Sequence, residues 1–131
     1  MIDPESAPLA LLVSRDLFFT SKVTGTAAAL GIDVRVVGET LAAADMVRSG
    51  DYRCIFIDLA DAELDVAEFF SQLGPNEHPP VVAFGSHVAT ARLQAARDAG
   101  CDEVMPRSRF SSSLPELLAQ YCQNQEPGSG E

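Results

Sequence analysis

Short apolar runs alternate with stretches of helical period along most of the chain. Leu9-Ala10-Leu11-Leu12-Val13 is continuous and apolar, as a strand covered on both faces requires. Over residues 16–30, Leu17, Phe18, Val23, Ala27 and Leu30 recur at about helical spacing, and Gly31 supplies a stop. Residues 32–37 read as a second strand, alternating enough to sit near an edge. Thr40 is placed to cap a short helix carrying Leu41, Ala44, Met46 and Val47, closed by Gly50. The third strand, residues 52–57 ending at Asp58, is the most buried-looking stretch of the chain. A helix over 64–73 sets Val66, Phe69, Phe70 and Leu73 on one side and ends at Gly74-Pro75-Asn76. Pro79 and Pro80 lead into Val81-Val82-Ala83-Phe84 and the turn Gly85-Ser86-His87. A fourth helix over 90–99 turns Leu93, Ala96 and Ala99 inward and stops at Gly100, and residues 102–105 form a weak fifth strand. Ser113-Leu114-Pro115-Glu116 has the form of a capping box that launches a fifth helix with Leu114, Leu117, Leu118 and Tyr121.

Five strands and five helices in strict alternation predict an α/β fold with a parallel sheet between two helical layers, because each parallel return needs a crossover. The 131 residues hold one core: an N-terminal extension over 1–8, a domain over 9–122 and a flexible tail over 123–131 that carries Pro127, Gly128, Ser129 and Gly130. No apolar run approaches the roughly 18 residues of a membrane span, and Met1-Ile2-Asp3-Pro4-Glu5 has no basic leader region. A cytoplasmic protein without membrane attachment is expected.

Charge narrows the partners. Nineteen acidic against nine basic residues give a net charge of −10. Nucleic-acid binding draws on counterion release to a basic face, which this chain lacks, so no nucleic-acid partner is expected. Cys54, Cys101 and Cys122 form no C-x-x-C pair, and their odd number argues against a disulfide framework. Cys54, inside an apolar run, reads as a small hydrophobe. With only His78 and His87 to assist, a zinc site would need ligands scattered along the chain.

In a sheet wound this way, chemistry gathers beyond the carboxyl ends of the strands. Strand one delivers Ser14, Arg15 and Asp16 there, and strand three delivers Asp58. Strand four delivers Gly85, Ser86 and His87, and strand five Pro106, Arg107 and Ser108. With Asp58 in Ile55-Phe56-Ile57-Asp58-Leu59 and the run Ala99-Gly100-Cys101-Asp102-Glu103, the chain resembles the receiver domain of two-component response regulators from Leu9 to about Cys122. The resemblance implies a flavodoxin-like sandwich of strand order 2-1-3-4-5 with Asp58 at the phosphoacceptor position. It also implies an acidic pair for Mg²⁺ after strand one, a hydroxyl after strand four, and a Lys followed by Pro after strand five.

This chain departs from that pattern at every one of those positions except Asp58. Ser14 and Arg15 stand on the acidic pair. Gly85 takes the hydroxyl position with Ser86 one residue late, and Arg107 and Ser108 replace Lys and Pro. Mg²⁺ needs carboxylate oxygens and is repelled by a guanidinium. A structural reading therefore stands beside phosphorylation: Asp58 as a carboxylate clamped by Arg15, Arg107 or both. Asp16 suits the N-cap of the first helix better than a displaced metal ligand. Ser86, His87 and Asp58 suggest a nucleophile–base–orienter set, but no G-x-S-x-G elbow accompanies them; His87 reads instead as a helix cap or a partner of a loop carbonyl. Phe18 and Phe19 cannot both face the sheet, so one turns away from it, either to contact a partner or to pack under a neighbouring loop. Phe84-Gly85-Ser86-His87 and Arg107-Ser108-Arg109-Phe110 also resemble segments of a receiver-like subgroup of unassigned function.

The leading expectation is a divergent, non-catalytic receiver-like signalling module that binds another protein and uses no cofactor, metal or Mg²⁺-dependent aspartyl phosphorylation. Its contact face would be the fourth helix, fifth strand and fifth helix, in a homodimer as one option. The alternatives are a phosphorylatable receiver with Asp58 as phosphoacceptor, and a small anion-binding domain or enzyme using His87, Arg107 and Ser108.

Overall fold

A computed structural model describes residues 7–75 and 77–123. The extension over 1–8 and the tail over 123–131 therefore lie, apart from Ala7, Pro8 and Gln123, outside the described residues. The elements run β1 (Leu9–Val13), α1 (Leu17–Ala29), β2 (Asp33–Val37), α2 (Thr40–Ser49), β3 (Cys54–Asp58) and α3 (Val66–Leu73). They continue with β4 (Val81–Gly85), α4 (Thr90–Ala99), β5 (Glu103–Pro106), α5 (Arg107–Ser112), α6 (Leu114–Leu118) and a π-helical turn, Ala119–Gln123. The strands form one parallel sheet in the order β2-β1-β3-β4-β5, the flavodoxin-like arrangement.

Side chains alternate across a strand, and that alternation sorts the core into two layers. Ala10, Leu12, Cys54, Phe56, Val82 and Phe84 pack with Phe19, Val23 and Ala27 of α1 and with Phe110, Leu114, Leu117 and Leu118. Leu11, Val13, Ile55, Ile57, Val81 and Ala83 pack on the other face with Ala43 and Ala44 of α2, Phe69 and Leu73 of α3, and Leu93 and Ala96 of α4. β3 and β4 are buried at every position, whereas β2, on the edge, has no buried residue. Gly31 (φ 76°) and Gly100 (φ 121°) adopt left-handed backbone after α1 and α4, where a side chain would be strained.

Three local expectations are corrected. In α1 the sheet-facing stripe is Phe19, Val23 and Ala27, while Leu17 and Phe18 are 80% and 91% exposed. The i, i+4, i+8 series starts at Phe19, which turns the two preceding residues away from the sheet. Thr40 is no cap: the helix already begins there, and its buried hydroxyl is used across the layer, donating to Glu68 at 3.2 Å. Ser113 makes no capping bond. The chain is helical from Arg107, directly after β5, so Ser113 joins two helices with φ −103° and ψ 10° instead of the extended backbone of an N-cap.

Candidate functional site

Strand register decides what surrounds Asp58. In the parallel pair of β1 and β3, Leu12 stands opposite Phe56. Two residues further on, still on the α1 face, the same register brings Ser14 beside Asp58. Arg15, one residue later, leaves toward the opposite face. Asp58 is only 2% exposed. Its Oδ2 accepts from the Ser14 hydroxyl at 2.8 Å and its Oδ1 from the backbone N–H of Ala60 at 2.9 Å. Arg107 Nη2 bridges both oxygens, at 3.0 and 2.9 Å.

Arg107 is not a simple fork on one carboxylate. Its other terminal nitrogen, Nη1, reaches Asp16 Oδ2 at 3.3 Å, so the guanidinium is shared between two acids. Its Cζ lies 4.3 Å from the centroid of the Phe19 ring and 5.7 Å from that of Phe84, a cation–π contact of about 1 kcal/mol. Phe84 in turn stacks on Phe110 at 4.1 Å. An aromatic floor thus holds the cation in place, which a mobile lysine could not match as well.

Asp16 completes the cluster. It caps α1 by accepting from the Phe19 N–H at 3.0 Å, while its own N–H donates to the Ser14 oxygen at 3.1 Å. The Phe19 N–H, with further help from Arg107 and against some desolvation, holds the Asp16 carboxyl below its ordinary value. Ser14 is therefore a relay that receives from Asp16 and gives to Asp58. Among the described residues, no buried side-chain nitrogen or oxygen lacks a partner.

The remaining sequence candidates lie outside this cluster. Of the two arginines, Arg107 alone contacts Asp58. Arg15 donates to Gly38 O at 2.9 Å and to Glu63 at 2.8 Å, and pairs with Asp61 at 3.4 Å. It still borders the open depression lined by Asp16, Asp58, Ala60, Asp61 and Ala62. Gly85 ends β4, and a Cβ there would meet Leu59 Cβ at 3.1 Å, so the hydroxyl position is closed by packing. Ser86 is exposed and its hydroxyl accepts from the Val88 N–H at 3.3 Å. His87 is exposed and α4 has no side-chain cap, which corrects its reading as a helix cap. Ser108 is exposed on α5. With Ser86 turned to its own loop and Asp58 saturated by other donors, the three do not form a proton relay.

The residues present do not suit the divalent ion that the resemblance implies. A hard cation needs free carboxylate oxygens. Here the acidic-pair positions hold a hydroxyl and a guanidinium, Asp16 is committed to Phe19 and Arg107, and both oxygens of Asp58 are bonded to Arg107. Among the described residues, no group of three or more His, Cys, Asp and Glu gathers as a metal would need.

Some of the site was not foreseen. Phe19 as the platform for Arg107, the Ala60 N–H on Asp58, and Asp61 and Glu63 as partners of Arg15 all emerge from the fold. The one available signal was the spacing of Phe19, Val23 and Ala27, which marks Phe19 as the inward phenylalanine.

No protein-family model matches the chain, and no curated protein matches it. Solved structures do. A response regulator from Hahella chejuensis superposes with a TM-score of 0.79 at 16% identity, covering 92% of this chain and 98% of that one. The receiver domain of a sensor histidine kinase from Pseudomonas aeruginosa, solved with a magnesium ion in its active-site cleft, gives 0.75 at 17% identity, covering 88% and 98%. A two-component response regulator from Clostridium difficile gives 0.75 at 15%, covering 91% and 98%. These likenesses establish the receiver fold. Among the described residues, no helix is long and apolar enough to cross a membrane.

Proposed function

We propose that this receiver-fold domain is a signalling module that works by binding another protein, with its phosphorylation chemistry replaced by an internal ion pair. The observation that carries this reading is the Arg107 nitrogen lying within 3.0 Å of both oxygens of Asp58. In an aspartyl-phosphate switch the nucleophilic oxygen must be free to attack phosphorus while a metal ion neutralises the transferring oxygens. Here Arg107 occupies that oxygen pair, and Ser14 stands where an acid would be. The domain then acts as a fixed surface and not as an enzyme.

The proposed contact face is α4, β5 and the C-terminal helices, with a second copy of the chain or a basic partner as occupant. Tyr121 donates to Glu103 at 2.7 Å, tying the C-terminal segment to β5, which supports a face held in one state. The exposed Leu17–Phe18 pair at the start of α1 supports protein contact as well, since large exposed apolar side chains side by side favour burial.

Incubation with acetyl phosphate and Mg²⁺, followed by intact-mass measurement, tests the reading. No phosphoryl adduct is expected. An adduct mapped to Asp58 would establish the phosphorylatable receiver instead.

A further inference from the structure

At the opposite end of β3 from Asp58, two cysteines 68 positions apart in the chain meet in the core. Cys54, the first residue of β3, and Cys122, in the final π-helical turn, are both fully buried, with their sulfurs 3.2 Å apart. That is roughly 1 Å beyond the about 2.05 Å of a disulfide, so a small shift of one side chain closes the gap. The turn bearing Cys122 is held in place: Arg53 donates to the Cys122 carbonyl at 3.0 Å, and Gln123 to the Leu30 carbonyl at 2.6 Å. Packing alone would be served as well by two aliphatic side chains. What two apposed thiols add is two-electron chemistry.

We propose that Cys54 and Cys122 are a redox modification site, closing to a reversible disulfide with a hydroperoxide as oxidant and stapling the C-terminal turn to the sheet. Cys122 is the attacking sulfur. The hydrogen bond shared with Cys54 and the nearby Arg53 cation draw its pKa down against its burial, while Cys54 is pushed up. The Cys122 thiolate attacks one peroxide oxygen, the O–O bond breaks, and the departing hydroxide takes a proton to become water. Cys122 is left as sulfenic acid. Cys54 sulfur then attacks the Cys122 sulfur, and the hydroxyl leaves with the Cys54 proton as a second water. Two thiols and one hydrogen peroxide thus become one disulfide and two waters. Burial of both sulfurs favours a small hydroperoxide over a bulky disulfide reagent. Cys101 packs against the other layer of the core, so the sheet separates it from the pair and it stays out of the exchange.

The test treats the reduced full-length chain with hydrogen peroxide, alkylates remaining thiols under denaturing conditions, and maps the peptides by mass spectrometry. The expected product has lost two hydrogens, links the Cys54 and Cys122 peptides, and carries an alkylated Cys101. Because the bond closes a long loop, Tm should rise by on the order of 10 °C and return on reduction with dithiothreitol. Cys122→Ser should abolish the cross-link while Cys101 remains alkylated. Three free thiols after treatment, a cross-link through Cys101, or sulfinic acid at Cys122 without a bridge would each overturn the proposal. The outcome is independent of whether Asp58 accepts a phosphoryl group.

Discussion

Arg107 and Arg15 leave the same end of the sheet toward opposite faces and meet different surroundings. Around Arg107, 30% exposed in its side chain, the Asp58 side chain is 3% exposed and the aromatic rings of Phe19 and Phe84 lie against the guanidinium. Around Arg15, 44% exposed, Glu63 is 73% exposed. The two ion pairs have similar lengths, 2.9 and 2.8 Å, so distance does not separate them. Solvent does. In water an ion pair is screened and offset by the entropy of two long side chains, whereas a buried carboxylate deprived of its cation is left with an uncompensated charge. A chain with nineteen acids has many carboxylates available for surface pairs, but among the described residues Asp58 is the one on which cation, hydroxyl and backbone donor converge.

The sharpest way to break this contrast is Arg107→Ala. With Asp58 buried and unpaired, unfolding free energy should fall by about 3–5 kcal/mol, read as a lower midpoint in a urea titration. A loss no larger than that of an exposed surface substitution would show that the two arginines are equivalent. Asp58→Asn should cost less, about 1–2 kcal/mol. The amide still accepts from Ser14 or Ala60, and Arg107 retains Asp16 and its aromatic floor; chemical denaturation of the variant measures it. Arg15→Ala should leave the melting temperature nearly unchanged, because its pairs are at the surface.

The smallest effect is on pH. Asp16 has a folded-state pKa below its ordinary value of 3.8. Its contribution to stability is therefore fully present above that value and is lost as pH falls through the lower folded-state value. Asp16→Asn, which keeps the capping acceptor, should flatten the acid limb of the stability–pH curve while leaving the helix intact by circular dichroism. An unchanged acid limb would remove Asp16 from the cluster.

Much of this was legible in the sequence. The continuous apolar runs at Leu9–Val13, Cys54–Ile57 and Val81–Phe84 mark the buried strands, and the residues just beyond the first, third and fifth strands include Ser14, Asp58 and Arg107. The choice between Arg15 and Arg107 was not legible. It depends on which side of the sheet each leaves, and a residue just past a strand end has no period to show that. α5 was missed because its six residues bury only Phe110, too few for a helical period. The Cys54–Cys122 contact was hidden for a related reason: spacing motifs report neighbours in sequence, and these two meet through tertiary packing.

The most direct test of the central claim is a nuclear magnetic resonance titration of the wild-type protein with Mg²⁺ and beryllofluoride, following the Ala60 backbone amide that donates to Asp58 and the guanidinium of Arg107. With Arg107 holding both carboxylate oxygens, neither signal should show a saturable, metal-dependent shift. A saturable shift at Ala60 together with release of the Arg107 guanidinium would contradict the account, because it would show that the ion pair yields to a phosphoryl mimic and its metal.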